Sequence, residues 1–401
     1  MTFDQLKLSS ASLRAVRELG HTEPTPVQAA AIPPLLAGRD VLASAATGSG
    51  KTAAFMLPLI EALAGGKSVA ARALILAPTR ELAMQIAEHG TALAKYSHVR
   101  ITPIFGGVGF GSQASALKRG TDVIVATPGR LIDHLSQGTV SLNGIEHLVL
   151  DEADRMLDMG FLPDVRRILK RLPKAHRTML FSATLPPPIV VLSKEMLKDP
   201  VRIDLAVKGQ PAAGVTQTVY TIDQNRKGDL LLELLKGGEI FSALTFTRTK
   251  ARANKLATLL ARNDIAVERI HGNRSQAQRT HALAQFKRGK CRVLVATDIA
   301  ARGIDILELG HVVNFDVPLV PEDYIHRVGR TARAQAVGDA ITFVSHDEEG
   351  SFAQIERKLG RRIDRTKTPD LPPAPSQGSA GPTLAHGLQP RSRRVFSSGR
   401  R

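Results

Sequence analysis

The sequence predicts an α/β protein of two tandem domains, each a mainly parallel sheet with helices on both faces, followed by a disordered basic C-terminal tail. Its 401 residues are more than one hydrophobic core usually organises. Short apolar, β-branched runs alternate with helix-like segments in both halves, the pattern of parallel strands joined by crossover helices. Midway, VKGQPAAG (207–214) interrupts the alternation with turn-forming Gly and Pro. The expected division is an N-terminal domain over 1–206, a linker over 207–215, a C-terminal domain over 216–358 and a tail over 359–401.

The first strand candidate is DVLASA (40–45), which leads through a glycine-rich turn into the helix-like KTAAFMLPLIEALA. ALILAP (73–78), RITPIF (100–105), DVIVATP (122–128), HLVLDE (147–152) and RTMLFSAT (177–184) follow. The second half offers TQTVYTID (216–223), ALTFTRT (243–249), AVERIHG (266–272), RVLVATD (292–298), HVVNFDVP (311–318) and DAITFVS (339–345). From about Pro369 onward Pro, Gly and Ser dominate and arginines gather at the end, a composition that cannot build a core. That tail is either a weak tether for nucleic acid or a solvated segment.

Net charge is the informative bulk number. It is +17, with 23 Lys and Arg against 18 Asp and Glu in residues 1–204 and 31 against 19 after them. Such a surplus points to a polyanionic partner, nucleic acid before an anionic membrane surface, with plain solubility charge as the alternative. No apolar stretch approaches the roughly 20 residues of a membrane span, and MTFDQLKLSS lacks the pattern of a signal peptide. The single cysteine, Cys291, cannot form an internal disulfide and sits in an apolar run, so it reads as a buried structural thiol. A cytoplasmic protein with no membrane attachment is expected.

AATGSGKT (45–52) carries the first specific chemistry. Between a strand and a helix, a glycine-rich turn lets the backbone around Thr47, Gly48, Ser49 and Gly50 close on phosphates. Lys51 can then reach the β- and γ-phosphates and Thr52 can offer its hydroxyl to Mg²⁺. Ala45 stands where the general phosphate-loop pattern has its first glycine. The second signal is HLVLDEAD (147–154), three carboxylates at the end of an apolar strand. Alone, Asp151-Glu152 could be a helix cap with a first-turn acid. With a phosphate loop about 100 residues earlier, Asp151 reads as a holder of Mg²⁺ through its water shell and Glu152 as the base that polarises a water.

Asp151-Glu152-Ala153-Asp154 spells DEAD, and the chain resembles the DEAD-box ATP-dependent RNA helicases over roughly residues 3–345. Thr331-Ala332-Arg333, where the common form is TGR, is similar to the bacterial RhlE-like group. The resemblance implies two RecA-like domains, ATP and Mg²⁺ as cofactors, and RNA of little sequence preference as partner to a monomer. Phe3 and Gln28, in and beside GHTEPTPVQ (20–28), would wall and read the adenine, although the family's usual aromatic after Gly20 is His21 here. Pro78, Thr79 and Arg80, the glycine pair ending in Gly107, and Thr127, Pro128, Gly129 and Arg130 would hold the RNA backbone without reading bases. Ser182 and Thr184 would link Asp154 to that contact.

In the second half the resemblance assigns Thr247, Arg248, His271, Gly272, Arg279 and Thr297 to the RNA side, and Asp305 to the ribose. His326 would couple the halves. Arg327 and Arg330, three apart and so expected on one helical face, would approach the γ-phosphate as fingers worth roughly 10³–10⁵ in rate. The implied activity is ATP-dependent, local and non-processive RNA unwinding. Its rivals are an RNA clamp or annealing protein with slow turnover and a DNA-stimulated ATPase. Few aromatics (4%, no Trp) speak against base stacking as the main grip.

Overall fold

The computed structural model describes residues 1–46, 48–65, 70–205, 215–301, 309–331 and 338–372. Thr47, Asp305, Ala332 and Arg333, the 207–214 segment and the tail beyond residue 372 lie outside the described residues.

Among the described residues fourteen strands form two seven-stranded sheets. The first contains β1 (Val41–Ser44), β2 (Ala73–Leu76), β3 (Ile101–Ile104), β4 (Val123–Ala126), β5 (His147–Leu150), β6 (Arg177–Ser182) and β7 (Val201–Asp204). The second contains β8 (Val215–Thr221), β9 (Ala243–Phe246), β10 (Val267–Ile270), β11 (Val293–Ala296), β12 (His311–Asn314), β13 (Gly338–Val344) and β14 (Arg365–Thr366). Their orders are β3-β4-β2-β5-β6-β1-β7 and β10-β11-β9-β12-β13-β8-β14, so the second sheet repeats the first strand for strand. Neighbouring strands run parallel throughout.

Both faces are covered, which is why the strands read as unbroken apolar runs. Alternation then sorts the side chains. Ala73 and Ile75 of β2 enter the core on one face, which also holds Phe3, Val27 and Phe55. Leu74 and Leu76 enter the other, with Leu148, Leu150 and Ile168.

Three expectations are corrected here. β7 and β14 were not foreseen, because VRID and RT are short edge strands without an apolar run. β14 and the end of the helix Glu349–Leu359 fall inside the stretch expected to be tail; Arg365–Thr366 pairs with Val219–Tyr220, and Ile363 is buried in the adjoining core. The helix Pro321–Val328 stops at Gly329, so Arg327 and Arg330 do not share a helical face.

Candidate active site

The chemistry gathers at the carboxyl ends of the strands, where parallel sheets open a crevice. After β1 the chain turns through Gly48 and Gly50, with φ of 83° and 90°. Gly50 is required on two counts. Its backbone is left-handed, and a Cβ there would lie 2.5 Å from the Gln28 amide nitrogen. Gln28 donates to the Gly50 carbonyl at 3.0 Å and accepts from the Thr25 N–H at 3.0 Å, clamping the helix Pro26–Leu36 to the phosphate loop. Phe3 is packed in the core at 4% exposed, not open along a pocket wall. Lys51 and Thr52 open the next helix, and buried Lys51 donates to the Ala45 carbonyl at 2.9 Å.

Asp151 follows β5 directly and is almost fully buried. Burial pushes its carboxyl up to about 7, against the pull of Lys51. Glu152 stands in the left-handed region at φ 53°, unusual for a side chain of its size, and its N–H donates to Asp151 Oδ1 at 2.9 Å. Burial raises the Glu152 carboxyl, but Arg155, then Lys51 and Arg330, outweigh it and hold the group below its ordinary range. Asp154 is also held low: burial opposes its charge, while Lys51, His326 and the hydrogen bonds of Thr184 favour it. The Thr184 N–H and hydroxyl donate to one Asp154 oxygen at 2.8 and 2.9 Å, and the Asp154 N–H donates to the Ser182 hydroxyl at 3.1 Å.

These groups suit Mg²⁺, which binds through one or two carboxylates, several waters and substrate phosphates. Asp151 is so desolvated that it is driven toward neutrality, a cost that a divalent cation would reverse. Thr52, one residue into the helix, is the neighbouring hydroxyl.

The second half meets this edge directly. Arg155, Asp323, His326, Arg327 and Arg330 line one cavity between the halves. Burial, and next the charge of Arg155, push His326 down to about 4, so its imidazole is neutral. Arg330 acts on Glu152 across the interface. Arg327 turns back into its own half: it donates to Asp298 Oδ2 at 2.8 Å and to the Asp316 carbonyl at 2.7 Å, 5.0 Å over the Phe246 ring. It is 2% exposed, with its guanidinium paired inside its own half.

A second meeting place joins Arg80 and Glu81, opening the helix Arg80–Leu93, to Gln276 and Arg279 of the helix Gln276–Lys287. Arg279 pairs with Glu81 at 3.0 Å, and the Gln276 amide donates to Glu81 at 3.0 Å. Arg80 lies over Gly107, where a Cβ would come within 2.0 Å of its guanidinium. Burial and the charge of Arg279 both oppose the Arg80 cation, a conflict that an anion would relieve. Arg130 donates to the Val108 carbonyl at 3.1 Å in the same loop, at the start of the helix Pro128–Ser136, with Gly129 exposed and Thr127 and Pro128 buried. Pro78 and Thr79 are buried too; Thr79 caps the following helix by accepting the Leu82 N–H at 3.2 Å.

Several second-half candidates face inward. Thr247 is fully buried, and His271 points its Nε2 at the Asn254 side-chain oxygen, 3.0 Å away. Arg248 donates to Glu348 at 2.9 Å and to the Val317 carbonyl at 3.2 Å. Thr247 and His271 therefore present no side chain at the surface, because packing in their own half consumes them. Gly272 is exposed and Thr297 half-buried at the end of β11. Arg155 and Glu81 were not singled out from sequence; three residues from Glu152 and one from Arg80, they had only helical spacing to betray them.

Residues 25–191 match the DEAD/DEAH box helicase model and residues 226–335 the helicase conserved C-terminal domain. The chain is 42% identical over 371 residues to the DEAD-box ATP-dependent RNA helicase CshA of Bacillus subtilis, spanning 92% of this chain and 75% of the relative. This chain belongs to the DEAD/DEAH box helicase family. Among solved structures this helicase resembles S. cerevisiae Dbp5 bound to RNA and ADP BeF3 (30% identical, TM-score 0.80, 91% of this chain and 95% of that one). It also resembles the DEAD-box helicase Mss116 bound to ssRNA and UDP-BeF (28%, TM-score 0.84, 92% and 81%). A Methanococcus jannaschii DEAD box protein is more identical, at 39%, yet scores 0.54 over 92% of this chain and 99% of its own. Among the described residues no helix is long and apolar enough to cross a membrane.

Proposed function

We propose that this chain is an RNA-dependent ATPase that uses ATP binding and hydrolysis to unwind or remodel short stretches of RNA in the cytoplasm. The main support is one juxtaposition: Glu152 of the first half lies within the electrostatic reach of Arg330 from the second. A base and a finger from opposite halves form a working site only when the halves close.

Each residue then has a task. The turn through Gly48–Gly50 cradles the phosphates, with Lys51 on the β- and γ-phosphates. Thr52 and Asp151 would hold Mg²⁺, which would supply positive charge to neutralise the phosphates. Glu152 takes the proton of the attacking water, Arg330 stabilises the charge that develops, and Arg327, paired with Asp298, holds the end of the helix just before it. Gln28 belongs to the adenine side and Asp305 to the ribose. Arg80, Gly107, Gly129, Arg130, Gly272, Arg279 and Thr297 grip the RNA backbone from both halves. ATP and RNA therefore stabilise one closed state and must each raise the other's affinity. Asp154, tied to Ser182 and Thr184 on one side and facing His326 on the other, carries that coupling.

Steady-state ATP hydrolysis with and without single-stranded RNA tests this, for the natural chain and Glu152→Gln. A general base contributes about 10²–10⁴. RNA should stimulate the natural chain, and the variant should lose that turnover while still binding RNA. Equal rates with and without RNA would refute the reading, and stimulation by matched DNA but not RNA would move it to a DNA-dependent ATPase.

A further inference from the structure

Arg155 has no task in the account above, yet with Arg327 it is one of the two largest fully buried side chains of the described residues, 1% exposed. Its guanidinium stands 3.2 Å from the Glu152 carboxylate, the one ion pair that Glu152 makes among the described residues. Neither of its two terminal nitrogens makes a hydrogen bond, and nor does the Glu152 oxygen facing it. A guanidinium sealed away with unsatisfied donors is costly, and side chains in that state concentrate where function needs them.

Glu152 needs a support of this kind. Its backbone is left-handed, and no hydrogen bond to its carboxylate is formed by any described residue. The far side of Arg155 is closed by the second half, whose Asp323, His326 and Arg330 line the cavity that Arg155 enters. His326 is neutral there, so it can pack on a cation without repelling it.

We propose that Arg155 is a positioning residue: its guanidinium holds the Glu152 carboxylate in its working orientation, and closure of the second half holds the guanidinium in place. The base is then aimed only while the halves are shut, by a route separate from Arg330. This inference rests on the reading of Glu152 as general base.

The test uses the full chain with saturating RNA and four variants: Glu152→Gln, Arg155→Met, Arg155→Lys and the double variant Glu152→Gln with Arg155→Met. Arg155→Met should lower kcat by roughly tenfold to a hundredfold, within the range of the base it serves. The KM for ATP and the RNA affinity with a non-hydrolysable ATP analogue should stay within about threefold, which also shows that the variant is folded. Arg155→Lys should recover part of the lost kcat. The double variant should be no slower than Glu152→Gln, because two residues acting as one unit do not add. A kcat within about twofold of the natural chain for Arg155→Met, a multiplicative loss in the double variant, or a loss confined to KM would overturn the proposal. Full activity in Glu152→Gln would instead defeat the general-base reading itself.

Discussion

Asp154 shows what one side chain contributes here. One of its oxygens accepts both the Thr184 N–H and the Thr184 hydroxyl, bonds that help keep it ionised. The segment after β6 is thereby fastened to the acidic turn after β5, so a shift at one is felt at the other. A hydrogen bond to a charged group is worth about 1.5–3 kcal/mol. Thr184→Val keeps the side-chain volume and the backbone bond but removes the hydroxyl. The ratio of RNA-stimulated to basal ATP hydrolysis should fall about tenfold, with ATP affinity little changed. An unaltered ratio would mean that the hydroxyl only stabilises the loop.

At the scale of elements, the second half depends on a buried charge cluster beneath the end of β9. Lys227, fully buried at the start of the helix Lys227–Lys236, donates to the Phe315 and Phe343 carbonyls at 2.9 Å and to Glu348. Burial pulls its ammonium down while Glu348 and Asp316 hold it up. Glu348 binds Arg248 in turn, and Asp316 Oδ1 pairs with Arg252 at 2.8 Å. Removing one partner of a buried pair costs about 3–5 kcal/mol, because the other charge is left desolvated. Lys227→Met should therefore lower the unfolding free energy of the second half by that order in a denaturant titration. A change under about 1 kcal/mol would show that water or rearrangement replaces the ammonium.

Little of this cluster was legible in the sequence, because its members lie up to 121 residues apart and only the fold unites them. The twelve strands foreseen, β1 to β6 and β8 to β13, were legible as short apolar or β-branched runs; ten of them are interior, and β3 and β10 lie at sheet edges. The glycine-rich turn after β1 and the acidic turn after β5 were legible as local structure, because consecutive residues build each of them. Arg327 and Arg330 marked the limit, since spacing three suggests one helical face but Gly329 ends the helix between them. Thr247 and His271 failed for a related reason, because residue type cannot tell an inward hydroxyl or imidazole from an outward one.

For the whole molecule, the +17 charge becomes useful where closure crowds like charges together. Arg80 and Arg279 come from different halves, and the charge of Arg279 disfavours that of Arg80, while Gln276 bonds Arg80 and Glu81 pairs with Arg279. Closing without RNA leaves that repulsion standing; closing on RNA places phosphates against it, so the polyanion itself favours the shut state. Each phosphate neutralised on a single strand steepens the dependence of log affinity on log salt by about 0.7. Arg80→Gln should then weaken RNA binding equally for unrelated sequences, and the slope should become shallower by about 0.7, measured with a non-hydrolysable ATP analogue. Gly107→Ala should mimic it in part, because the added methyl would occupy the place of the guanidinium. If both variants lose affinity at an unchanged slope, Arg80 serves closure through Gln276 and not the RNA. If the slope falls while closure without RNA becomes easier, one guanidinium both opposes the empty shut state and rewards the filled one, which is what makes ATP turnover wait for RNA.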